Sequence, residues 1–291
     1  MTRLSNGTKV AYWSGQLAEG LKNTTFALFL LFYYNQVLGL SGTLCGIALF
    51  IAIAIDAVTD PLMGSFSDSW KSKWGRRHPF MYAAAIPMAL AFFAVFNPPT
   101  TSDTGLFLWL LVFSVVTRVT MTLYSVPHMA LGAEMSNDYN ERTTIVAGRA
   151  IFGIIGSLMV YALGFGVFFV ASDTYTNGQL NPAAYPLFAG VLALLIVASI
   201  LGSAWGTHHL IPTLSKPGHI GSVSLGLMLK DIIGAFGISS FRWLVLGFVI
   251  VAAPVGIGTS LALYLNTFFW GVSPAQMSFV LAAAPIGAII G

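Results

Sequence analysis

Two aspartates, Asp56 and Asp60, stand four residues apart in DAVTDPLMG, directly after the apolar run GTLCGIALFIAIAI. In a helix that spacing puts both carboxylates on one face, one turn apart, where like charges repel and both lose hydration. A bound monovalent cation or a shared proton removes both penalties, so the pair reads as a cation site. Local chemistry agrees. Pro61 has no N–H, which frees the Ala57 carbonyl between the two aspartates. The hydroxyls of Thr59 and, from a later helix, Thr122 complete an all-oxygen set of the kind hard cations prefer. The coupling ion implied is Na+ or H+; in the sodium case Asp56 and Asp60 hold the metal ion.

Five further polar residues fall within apolar surroundings: Glu19, Lys22 and Asn23 at i, i+3 and i+4 on one helical face, then Arg118 and Arg149. An ionisable group near mid-membrane costs at least ~2.5 to 3.5 kcal/mol, so such groups face a partner or a wet cavity. With the aspartates, seven positions on four helices predict one shared cavity. Interhelical ion pairs that merely hold a bundle together are the plainer reading of any one of them. Arg118 either lines the cavity or pairs with Glu19, and the residues leave both open. His128, after Pro127, reads as a hydrogen-bonded structural histidine rather than a proton relay.

The elements that must position these groups follow from composition. With 56% hydrophobic and 8% charged residues, the 291-residue chain cannot cover itself with the polar surface that water requires. Apolar segments predict membrane-spanning helices at about 11–38, 42–66, 79–97, 105–132, 144–171, 184–207 and 241–269, with an eighth from about 275. That eighth runs to Gly291 with no polar flank, the pattern of a chain cut short by about four helices. The runs are continuous, whereas barrel strands alternate. Cys45, the single cysteine, excludes an internal disulfide. The opening MTRLSNGTKVAYWSGQ has no apolar core of the kind a cleaved signal peptide needs.

Orientation is read from lysine and arginine. Arg3, Lys9, Lys71, Lys73, Arg76, Arg77, Arg142, Lys216 and Lys230 fall on one side of these spans, and the opposite loops carry neither residue type. The N terminus is therefore expected in the cytoplasm of a multi-pass protein of the plasma or bacterial inner membrane. The net charge of +3 is a topology signal, and nucleic acid is not an expected partner. No histidine or cysteine cluster with metal spacing, phosphate loop or paired nucleophile and base occurs, so the reading is of a non-enzyme without cofactor. An integral membrane enzyme and a non-transporting sensor are the alternatives of other classes.

Gly64-x-x-x-Asp68 followed by Gly75-Arg76-Arg77 resembles the signature loop of the major facilitator superfamily, with extra residues before the GRR. The resemblance implies that Gly64, Asp68, Gly75, Arg76 and Arg77 form the cytoplasmic gate. DAVTDPLMGSFSD…SKWGRRHPF, with YYNQVLGLSGT, TLYSVPHMALGAEMS and ERTTIVAGR, is similar to the glycoside-pentoside-hexuronide:cation symporters, the melibiose-permease family, and to the related sucrose and lysolipid carriers. By position, Asp56 and Asp60 match cation-binding aspartates, Thr59 stands at an asparagine position, Thr122 matches a threonine near the cation, and Arg149 matches a sugar-holding arginine. Ser125 and Gly20 replace two sugar-gripping aspartates, so the charged clamp is incomplete unless Glu19 restores part of it. The substrate-binding candidates are thus Glu19, Lys22, Asn23, Arg118, Ser125 and Arg149. Phe29, Phe32, Tyr33 and Tyr34 suit either a sugar face or an interfacial aromatic belt.

The expected architecture is an all-α major facilitator fold: a six-helix bundle over 1–210 built from two inverted three-helix repeats, a cytoplasmic linker over 211–238, and the first helices of a second bundle over 239–291. The expected function is secondary active, cation-coupled symport of a sugar or glycoside by alternating access. A lysolipid or other amphiphile is the alternative cargo. The expected partners are that small molecule and the lipid bilayer, with the complete protein a monomer.

Overall fold

A computed structural model of the chain describes residues 4–99, 102–214, 230 and 234–290. Of the linker expected over 211–238, residues 215–229 and 231–233 lie outside the described residues, as do Arg3 and Lys216.

A first rod is built from α1 (Asn6–Ser14) and α2 (Gln16–Thr25), continued by π-helical turns at Phe26–Leu30 and Tyr33–Val37. Then come α3 (Gly42–Ser69), α4 (His78–Val95), α5 (Asp103–Glu134), α6 (Tyr139–Leu163) with a π turn at Gly164–Phe168, and α7 (Ala184–Thr207) with a 3-10 turn at His208–Thr213. They are followed by α8 (Ser239–Tyr264), with a π turn at Leu265–Phe269, and α9 (Pro274–Ile290). With these added turns, α3 to α8 are each long and apolar enough to cross a membrane. The first rod and α9 complete the expected order of spans. Several helices begin before their apolar runs, because their first turns are polar and capped. Ser5, Ser41, Ser102 and Asp138 accept from backbone N–H groups at 3.1, 3.3, 3.3 and 2.8 Å.

In the bundle, α5 packs against both α3 and α4, α4 touches α7, and the first rod lies against α6 and α7. The first rod and α6 meet backbone to backbone. A Cβ at Gly156 would lie 2.8 Å from the Leu17 carbonyl oxygen and 3.1 Å from the Leu21 nitrogen, and Gly20 faces Gly153 and Gly156. Without an aqueous driving force, helices in lipid gain contact by such close approach. The remaining helices add to this bundle at one side, α8 on the first π turn and α9 on α6.

The two ends of the bundle are fastened differently. At the end carrying the basic loops, Lys9 Nζ pairs with Glu141 at 2.8 Å, His78 Nε2 lies 3.1 Å from Thr207 Oγ1, and Tyr82 Oη lies 3.1 Å from His208 Nδ1. At the opposite end the fastening is aromatic. Phe29, Phe32, Tyr33 and Tyr34 are buried; Tyr33 stacks on Tyr185 at 4.2 Å, and the Tyr33 and Tyr34 hydroxyls donate to the Phe96 and Val95 carbonyls at 3.2 and 2.7 Å. These four rings are core, so neither a sugar platform nor an interfacial belt describes them. The two tyrosine hydroxyls reach carbonyls at the end of α4, which no periodicity reveals.

Candidate functional site

Asp56, Thr59 and Asp60 project from α3, which continues as helix past Pro61 to Ser69. Opposite them, α5 supplies Arg118, Thr122 and Ser125. Thr122 Oγ1 lies 3.1 Å from Asp56 Oδ1 and 2.5 Å from Asp60 Oδ1. A hydroxyl carries one hydrogen and donates to one carboxylate at a time. Three oxygens thus converge with one hydrogen among them, an arrangement that an added positive charge stabilises. Thr59 Oγ1 donates to the Asp56 carbonyl at 3.2 Å and keeps its lone pairs beside the same group. All the donors are hard oxygens, which fit Na+ or a proton.

Of the two roles the sequence left open, Arg118 lines a cavity and does not pair with Glu19; its partner is an aspartate that the sequence reading did not name for it. Its Nη1 meets Asp56 Oδ2 at 3.0 Å, and Glu19 instead accepts from Gln16 Nε2 at 2.7 Å. A turn further on, Lys22 is buried, and its ammonium donates to Asn23 Oδ1 at 3.1 Å.

The shared cavity expected from seven polar positions is divided. Lys22, Asn23 and Arg118 line one cavity of about 330 Å3 with Thr259 and Ser260 of α8. Asn23 also opens onto a larger one of about 720 Å3 between the first rod, α6, α8 and α9. Arg149 lies elsewhere, in a cavity of about 330 Å3 with Tyr12, Gly132 and Arg142 near the basic end. Helical register explains the division: Arg149 sits on the α6 face turned toward Tyr12, whereas Lys22 and Arg118 face α8. Beside the carboxylates, Thr59 and Thr122 edge a mostly apolar cavity of about 550 Å3 between α3 and α5. Ser125, half-buried, follows Thr122 by three residues on α5. The lone histidine of α5, His128, donates from Nε2 to the Tyr12 carbonyl at 2.9 Å and is stacked against the Tyr12 and Tyr124 rings.

At the basic end of α3 the arginines are gathered by acids. Arg77 pairs with Asp68 and with Glu134 Oε1 at 2.8 Å, and donates to Ser67 Oγ at 2.7 Å; Arg76 reaches the same Glu134 oxygen at 2.8 Å. Gly75 turns the chain with a φ of +74°, a conformation that favours glycine. Gly64 shows no break: α3 is helical through it, and a Cβ there would meet only ordinary contact with Val126 at 3.8 Å. Sequence reasoning missed Glu134 and Glu141. Both stand at the basic ends of spans, where an acid among same-side arginines and lysines was the available signal. Glu141 takes Lys9, the Ser136 hydroxyl at 2.8 Å and the Leu4 N–H at 3.0 Å.

Comparison with known proteins adds a family to this geometry. A symporter of uncharacterised function from Synechocystis, sll1374, is 34% identical over 158 residues, 52% of this chain and 29% of its own length. The uncharacterised Bacillus subtilis symporter YnaJ is 31% identical over 199 residues, 66% of this chain and 41% of its own length. The putative glycoside/cation symporter YagG of Escherichia coli is 29% identical over 160 residues, 55% of this chain and 35% of its own length. The aligned stretches therefore cover less than half of each relative. Residues 11–291 match the family described as MFS/sugar transport protein. A multi-pass helical chain matched over that range belongs to the major facilitator superfamily, in its glycoside-pentoside-hexuronide:cation symporter family of transporters.

Proposed function

We propose that the chain serves secondary active transport, with Na+ or H+ entering at Asp56, Asp60, Thr59 and Thr122 together with a sugar or glycoside. The observation that carries this reading is the convergence of two carboxylates on the single Thr122 hydroxyl. With the ion seated, the repulsion that disfavours an occupied, closed site is relieved, so ion and solute stabilise the same state and move together. Each monovalent ion entering down 100 mV supplies about 2.3 kcal/mol, enough for severalfold to tens-fold accumulation. Glu19, Lys22, Asn23, Arg118, Ser125 and Arg149 are the proposed solute contacts, Arg149 guarding a separate chamber nearer the basic end. Asp68, Arg76 and Arg77, with Gly64 and Gly75, are the proposed gate, working on the cytoplasmic side with the N terminus. The first rod and α3 to α7 form the proposed first bundle, and α8 and α9 open a second.

A chicken protein named sodium-dependent lysophosphatidylcholine symporter 1 is 28% identical over 162 residues, 55% of this chain and 30% of its own length. With the mostly apolar cavity beside Thr59 and Thr122, it supports an amphiphile as the second reading of the cargo.

Ion binding is testable on the purified chain. At constant ionic strength, replacing choline by sodium, or lowering pH, should raise the melting temperature by a few degrees. Asp60→Asn should abolish that response. A wild-type chain insensitive to both ions, or an Asp60→Asn chain that still responds, would sink the coupling proposal.

A further inference from the structure

Among the proposed solute contacts, two are positive groups that stand beside the ion site, one of them already paired with Asp56. Lys22 and Arg118 line the same cavity of about 330 Å3. Lys22 is 4% exposed, and its ammonium has the Asn23 amide oxygen and the Phe26 ring, 5.4 Å away, as its contacts. No carboxylate lies within ion-pair distance of it among the described residues. Arg118 gives one N–H to Asp56, while its Nε is buried without an acceptor among the described residues. Two cations around one small cavity mirror the two aspartates beside it. Of the four, Lys22 is buried and Arg118 and Asp56 are partly buried, and like charges withdrawn from water are relieved by a ligand of the opposite sign.

Resting on the proposed ion site, we propose that Lys22 and Arg118 form an oxyanion subsite, and that the transported solute carries a carboxylate or phosphate group. Formal charge supports the assignment. Asp56 and Asp60 balance Lys22 and Arg118. A seated monovalent cation leaves this set with one excess positive charge, which a carboxylate cancels, a phosphate monoester at about −1.5 to −2 more than cancels, and a neutral sugar leaves standing. Ion and anion then strengthen each other's binding, and by reciprocity each does so equally. Asn23, Thr259 and Ser260 supply amide and hydroxyl partners for the rest of a polar solute in the same cavity.

Equilibrium dialysis of radiolabelled methyl glucoside, methyl glucuronide and methyl glucoside 6-phosphate against the purified full chain in sodium buffer tests the subsite. One charged probe should bind about tenfold tighter than the neutral one, the effect of one charge-assisted hydrogen bond, and which one it is separates carboxylate from phosphate recognition. Lys22→Met should erase the preference and Lys22→Arg should retain it. Equal or tighter binding of the neutral probe by the wild type, or a Lys22→Met loss equal for all three, overturns the proposal. The wild-type ranking stands even where Lys22→Met fails to fold. Where no probe binds, acetate and inorganic phosphate decide by thermal stabilisation: neither exceeding chloride overturns the proposal, and an excess that Lys22→Met removes supports it. Sodium-dependent melting is read separately, so failure of the ion site and failure of the anion subsite are distinguishable.

Discussion

At the scale of single residues, Thr122 is the joint of the candidate ion site. Replacing it with valine keeps the shape and removes the only hydrogen shared between Asp56 and Asp60. Thr122→Val should therefore raise the half-saturating sodium concentration in a thermal titration by about tenfold, the scale of one hydrogen bond to a charged group, while Thr122→Ser stays near wild type. The aspartates and Thr122 were legible in the sequence because their chemistry is local to two helices and their spacing matches one turn. Arg118 was less so. Its choice of Asp56 over Glu19 depends on how α5 is rotated against α3, which hydropathy does not encode. For the same reason Arg149 was grouped with residues that it does not join.

Among the elements, the contact between the first rod and α6 and the turn between α3 and α4 make opposite demands. Gly156→Val would push a side chain into the Leu17 carbonyl and should cost about 1 to 3 kcal/mol, read as a lower melting temperature or loss of a monodisperse peak. Gly202→Ala, on α7 with nothing within 4 Å of the added carbon, should be neutral or mildly stabilising. In the turn, Arg77 is 5% exposed and shared by Asp68, Glu134 and Ser67. Arg77→Gln should cost about 3 kcal/mol and Lys71→Gln, at an exposed position, almost nothing. Helix order was readable from apolar run length. The π turns were not, since an extra residue in one turn leaves the apolar run unchanged.

For the molecule as a whole, the proposed orientation places exposed Lys73 and exposed Thr174 on opposite sides of the membrane. In a chain whose single cysteine, Cys45, is buried, Lys73→Cys should react with a membrane-impermeant maleimide only after cells are permeabilised, and Thr174→Cys should react in intact cells. The reverse pattern would invert the proposed topology and move the gate to the outer face. The proposed topology rests on a one-sided distribution of basic residues, a property of the whole chain that the sequence displays directly. The division of the interior into separate cavities was not readable there, because it depends on where α8 meets the first rod and α6.

The unequal fastening of the two ends gives the protein a response to its medium. Apart from Arg118–Asp56, the ion pairs among the described residues lie at the basic end, whereas carbonyl-bound tyrosines and packed rings hold the other. Electrolyte shields charges over about 8 Å at physiological ionic strength, and reaches these largely buried pairs only weakly, Asp68 at 37% exposure being the most open of them. Stacked aromatics are indifferent to it. Concentrated salt should thus loosen one mouth of the bundle slightly, through Asp68, and leave the other as it was, a small bias of bulk ionic strength on which side opens.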